Sequence, residues 1–139
     1  MPAQVVVVLR EALLAGKTAE ALTRAGYHAI AMTNSMVALQ ALEAATNIEL
    51  LVTSTHFPGQ QPNGLALARM TRVRRPSLKV IFADGPETKP HVARDGTFIA
   101  TPTTPEAVVE AADELLRGSQ IQTNAADAGA LRATSASDQ

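Results

Sequence analysis

ELLVTSTHFPG, residues Glu49 to Gly59, begins as an apolar run and ends in a Pro-Gly turn. Apolar side chains at consecutive positions, rather than at every second one, suit a strand covered on both faces, as in a parallel sheet. The spacing predicts a strand over Glu49 to Thr53. The proline- and glycine-dense HFPGQQPNG, His56 to Gly64, then forms a loop at its carboxyl end.

Similar runs lie on both sides of this stretch. Upstream, Val5 to Val8 and Tyr27 to Met32 read as strands; downstream, Lys79 to Ala83 and Thr97 to Thr101 do so. Helical patterns alternate with them. Leu14, Thr18, Leu22 and Ala25 recur at helical spacing between Glu11 and Ala25, and Gly26 supplies a left-handed stop. Ser35 is expected to cap a second helix with Ala38, Leu39, Leu42 and Ala45 on its inner face. Leu65, Met70 and Val73 mark a third, ended by Pro76, whose final turns hold Arg69, Arg72, Arg74 and Arg75, cations that complement the negative end of the helix dipole.

Residues 84–96 contain two prolines and little apolar periodicity, so a helix there is expected to be short and weakly anchored. Thr104, Pro105 and Glu106 form a helix start, followed by an apolar stripe of Val108, Val109, Ala112, Leu115 and Leu116. Strands alternating with helical segments imply right-handed crossovers, hence a doubly wound α/β domain. The expected architecture is flavodoxin-like: a five-stranded parallel sheet in the order 2-1-3-4-5 with helices on both faces. In that order any site falls at the carboxyl ends of strands 1 and 3, near Leu9 to Glu11 and Ser54 to Pro58.

A chain of 139 residues, 46% of them hydrophobic, suffices for one buried core. We expect one folded domain over residues 1–118 and a disordered polar tail over 119–139, where large apolar residues become scarce. A formal net charge of -1 implies no general attraction to nucleic acid or to an anionic membrane. The absence of cysteine excludes disulfides, thiolate metal sites and thiol nucleophiles, and fits a reducing, cytoplasmic setting. Arg10 and Glu11 interrupt the first apolar run, so it does not read as a secretory signal. No apolar run reaches the roughly 18 residues of a membrane-spanning helix.

On these segments the chain resembles the receiver domain of two-component response regulators, from about Val5 to Leu116. ELLVTSTHFPG is similar to the family's third strand and its following Met-Pro-Gly turn. AGY at Ala25 to Tyr27, NGLALAR at Asn63 to Arg69, RRP at Arg74 to Pro76 and KVIF at Lys79 to Phe82 also resemble receiver segments. Gln60 to Pro62 looks like an insertion of about two residues.

The resemblance implies a specific set of site positions, and five of them have changed. Leu9 and Arg10 stand where the family has an acidic pair that holds magnesium, and Ser54 stands at the phosphoacceptor aspartate. Ala83 replaces the hydroxyl at the end of strand 4. Thr101, followed by Pro102, replaces the lysine that precedes a cis-proline. Phe98 falls on the aromatic position of the output switch. Glu11 is one position beyond the acidic pair and is expected to begin the helix.

Phosphoryl transfer depends on neutralising charge with a metal ion and a lysine, and neither has its partners here. No cofactor, metal or catalytic residue is therefore expected. Ser54 and His56 lie two apart, but no third group to orient the histidine can be named, and His56 reads as a solvent-facing loop residue. His28 and His91 belong to no ligand-spaced cluster. The resemblance implies a pseudo-receiver that is not an enzyme and acts, without phosphorylation, by contact with a signalling protein or with itself as a homodimer. The alternative is a small-ligand or anion sensor, with Arg10 lending a positive charge to the crevice and Ser54 a hydroxyl.

Overall fold

The computed structural model describes residues 4–117; the tail expected over 119–139 lies outside the described residues. Five strands, β1 (Gln4–Val8), β2 (His28–Met32), β3 (Ile48–Thr53), β4 (Lys79–Asp84) and β5 (Thr97–Ala100), form one sheet. Its order is β2-β1-β3-β4-β5 and every pairing is parallel. This is the flavodoxin-like arrangement that the sequence predicts.

The consecutive apolar residues of the strands divide between two faces. Val5, Val7, Leu50, Val52, Ile81 and Ala83 pack beneath α1 (Ala12–Arg24) and α5, a helix over 105–117. Val6, Val8, Leu51, Val80 and Phe82 pack beneath α2 (Ser35–Ala44), α3 (Gly64–Arg74) and α4 (Lys89–Val92). β4 runs one residue further than the sequence predicts, and β5 stops one short, at Ala100. The short helix expected between them is a 3-10 turn, Pro86–Thr88, followed by the four-residue α4, anchored through buried Thr88 and Val92.

Three local expectations need correction. The cap of α2 is Asn34, whose side chain accepts from the Val37 amide, while Ser35 is buried and donates its hydroxyl to the Pro62 carbonyl at 2.6 Å. Gln61 reinforces this tie by accepting from the Ser35 amide at 2.7 Å, so the insertion is fastened to the start of α2. On α3 the inner face is Leu67, Ala68 and Thr71, whereas Met70 and Val73 are 48% and 82% exposed. The Thr71 hydroxyl donates to the Leu67 carbonyl and so is satisfied when buried. The four arginines at the end of α3 are expected to complement the helix dipole, but two have specific partners: Arg69 pairs with Asp95 at 3.1 Å, and Arg72 donates to the Leu78 and Asp95 carbonyls.

Other expectations hold. Gly26 follows α1 with φ +104°, a conformation that costs glycine little and other residues more. Thr104 accepts from the Ala107 amide at the head of α5.

Candidate functional site

Parallel pairing brings the carboxyl ends of β1, β3 and β4 side by side. Ser54 follows β3 and its amide donates to the Val8 carbonyl, so the two strands stay paired up to the rim. Leu9, Arg10, Glu11, Ser54, Ala83 and Thr101 line one cavity of about 270 Å³, with Leu14 and Pro102. Five of the predicted positions thus converge. Phe98 lies apart, half-buried on β5, where it packs on the α2–α3–α4 face. The Thr101-Pro102 bond is cis.

Leu9 is buried where the resemblance implies a metal-binding carboxylate. Ser54 is also buried, and its oxygen accepts from the Arg10 amide at 3.2 Å. Glu11 occupies the N-cap position of α1 without a side-chain capping bond and is exposed, as expected of a residue that begins the helix.

The dominant feature is a residue that sequence reasoning missed. Asp84, the last residue of β4, is 4% exposed and faces the arginine across the end of β3. Arg10 donates through both terminal nitrogens to the two Asp84 oxygens, each at 2.8 Å, in a bidentate fork. Arg10 also donates to the His56 carbonyl at 3.0 Å. Asp84 accepts further bonds from the Thr55 amide at 3.0 Å, the Thr55 hydroxyl at 2.5 Å, the His56 amide at 3.2 Å and the Gly85 amide at 2.9 Å.

Burial pushes the Asp84 carboxyl up. The bonds from Arg10, Thr55 and Gly85 outweigh it and hold the group well below the usual carboxylate range. In turn the Asp84 hydrogen bond raises the Arg10 guanidinium against the opposing effect of its own burial. The positive charge that Arg10 was expected to lend to the crevice is therefore already matched, which corrects that expectation.

His56 exposes most of its ring, as the sequence suggests. Its Nδ1 lies 3.0 Å from the Thr55 hydroxyl and 3.6 Å from Asp84. Because the Thr55 hydroxyl donates to Asp84, its oxygen is left to accept from His56. Ser54, by contrast, is engaged with the Arg10 amide, so these contacts assemble no nucleophile–base pair.

A hard divalent cation needs several oxygen ligands. Near this crevice the carboxylates are Glu11, exposed at the rim, and Asp84, whose two oxygens already accept six bonds. Among the described residues no group of three or more His, Asp or Glu converges to hold a metal. The residues present do not fit the magnesium ion that the receiver fold implies.

No protein-family model matches the chain, and no curated protein matches it in sequence. Solved structures do match. A response regulator receiver protein from Sinorhizobium medicae superposes with a TM-score of 0.74 at 24% identity, covering 84% of this chain and 95% of that one. A CheY-like receiver domain protein from Methanospirillum hungatei gives 0.75 at 19%, covering 88% and 99%. A member of a family of redox sensors in the streptococci, evolved from two-component response regulators, gives 0.75 at 19%, over 88% of this chain and 54% of that one. The chain has the receiver fold of two-component response regulators. At these identities the likeness is one of fold.

Proposed function

We propose that this chain is a phosphorylation-independent signalling module, a pseudo-receiver that docks on a partner protein or on a second copy of itself and catalyses no reaction. The observation that carries this reading is the bidentate pair between Arg10 and Asp84. It neutralises the charge of the crevice from within, with a cation and an anion that both belong to the chain. Ser54, Ala83 and Thr101 supply neither the acceptor carboxylate nor the lysine of a receiver, and the carboxylates within reach do not suit magnesium.

The receiver scaffold is also carried by streptococcal redox sensors that evolved from response regulators. It therefore serves more than one kind of signalling. This chain has no cysteine and so offers no thiol for redox chemistry. Anion sensing in the crevice, the alternative, has less support because the Arg10 guanidinium is held by Asp84. No helix among the described residues is long and apolar enough to cross a membrane.

Amide spectra of nitrogen-15-labelled protein, recorded with magnesium and then with beryllofluoride, test the chemistry. The expected result is no movement at Leu9, Arg10, Ser54 or Asp84; saturable shifts there would refute phosphorylation independence. Sedimentation and crosslinking in the native lysate test the interaction. A strictly monomeric species that crosslinks to no protein would remove the docking role.

A further inference from the structure

At the opposite end of the sheet lies a larger cavity, about 450 Å³, between the end of α3 and the last turn of α5. Arg74, Arg75 and Lys79 line it together with Ile48, Leu115 and Leu116. One acidic residue, Glu49, stands among the lining residues and is exposed, leaving the cations in excess. Four other arginines have carboxylate partners: Arg10 pairs with Asp84, Arg24 with Glu20, Arg69 with Asp95 and Arg117 with Asp113. The Nε of Arg75 is buried and, among the described residues, has no hydrogen-bond partner.

A cation that only complements a helix dipole keeps its donors in water or on the last carbonyls. Arg75 is part-buried, has no carboxylate partner among the described residues and keeps its Nε enclosed, so its charge is left to be met from the cleft that it lines. The leucine and isoleucine side chains beside it favour an apolar body on the molecule that meets that charge.

We propose that this basal cleft binds a small amphipathic anion, a carboxylate or phosphate monoester bearing an alkyl or aryl group. The anionic head accepts from Arg75, flanked by Arg74 and Lys79, and the apolar group lies on Ile48, Leu115 and Leu116. The site stands apart from the Arg10–Asp84 crevice and does not depend on the reading given for it.

The test uses the full chain, nitrogen-15 labelled, titrated with octyl phosphate below its micelle concentration, then with butyl phosphate and inorganic phosphate. Octyl phosphate should shift the amides of Ser77, Leu78, Leu115 and Leu116. Affinity should fall about fourfold for each methylene removed from the part of the tail that is buried. Arg75→Gln should weaken binding on the order of tenfold or more, with Lys79→Gln as a second variant should the first fold poorly. Arg24→Gln, on another helix, should change nothing.

Equal binding of inorganic phosphate, indifference to both variants, or shifts centred on Arg10 and Ser54 would overturn the assignment. If the cleft is instead held by the chain's own residues 118–139, octyl phosphate must move amides of that segment as strongly as those of Leu115 and Leu116. That result too would overturn it.

Discussion

Replacing Asp84 by alanine removes both arms of the fork to Arg10 and strands four further donors: the Thr55 amide and hydroxyl and the amides of His56 and Gly85. A hydrogen bond to a charged group is worth about 1.5–3 kcal/mol, and a buried donor left without an acceptor costs about 1–3 kcal/mol. Arg10 has 39% of its side chain exposed and can turn to water, so its share is screened and falls at the low end. The expected loss is about 3–5 kcal/mol, in the range for breaking a buried pair by removing one partner. The mirror change, Arg10→Met, leaves Asp84 with its four other donors and should cost only about 1–2 kcal/mol. Urea denaturation of both single variants and the double variant, followed by circular dichroism, closes a double-mutant cycle. The double variant should be less unstable than the sum by about 1–2 kcal/mol.

The pH dependence has a definite sign. The folded Asp84 carboxyl lies well below its unfolded value, so its contribution is fully present above about pH 5 and is lost as pH falls through the acid range towards the folded value. Wild type and Asp84→Ala should therefore differ most near neutrality and converge in acid. An Asp84→Ala cost below about 1 kcal/mol, or single effects that add to within about 0.5 kcal/mol, would refute the argument that the pair acts as a unit.

Further tests address other parts of the fold. Tyr27 is the sole tyrosine of a chain without tryptophan, so ultraviolet absorbance reports its ionisation directly. Burial and its bond to Asp113 push the phenol up to about 12, and a midpoint near the free value of about 10 would contradict that packing. A Cβ at Gly64 would lie 2.0 Å from the Ser54 carbonyl oxygen, so Gly64→Ala should destabilise by more than about 2 kcal/mol in urea. Gly16 lies within α1 with nothing within 4 Å of that position, and Gly16→Ala should stabilise by about 0.5–1 kcal/mol. Ser54→Asp restores an acceptor carboxylate but not the metal ligands or the lysine, so its intact mass should be unchanged by acetyl phosphate; a phosphoryl adduct would contradict the proposed loss of chemistry.

The central strands β1, β3 and β4 were legible because their consecutive apolar residues are buried on both faces, and the spacing of the segments, with the half-exposed edge strands β2 and β5, left one economical topology. The helix faces were less so. On α3, hydrophobicity favours Met70 and Val73 over Thr71, yet Thr71 is buried because its hydroxyl bonds within the helix. Asn34 and Ser35 are both good caps by type. The choice between them rests on the bond from Ser35 to Pro62, twenty-seven residues away, which no local pattern reveals.

Asp84 was hidden for a different reason. Read along the chain, it is the first polar residue after an apolar strand, and a loop is its natural place. Its role appears only through the sheet order: β1 and β4 are separated by β3, which places their carboxyl ends roughly 10 Å apart, a gap that arginine and aspartate side chains together can close. A usable signal was available, two opposite charges each following a buried strand at the same edge of the sheet. The two residues also depend on one another unequally. Without Arg10, the buried Asp84 keeps the four donors of Thr55, His56 and Gly85, whereas without Asp84 the partly solvated Arg10 keeps only the His56 carbonyl and those four donors lose their acceptor. Arg10, at a position where the receiver resemblance implies a carboxylate, therefore does more than remove a metal ligand. It brings a permanent positive charge to the rim of the crevice, and the Asp84 carboxylate at the end of β4 neutralises it.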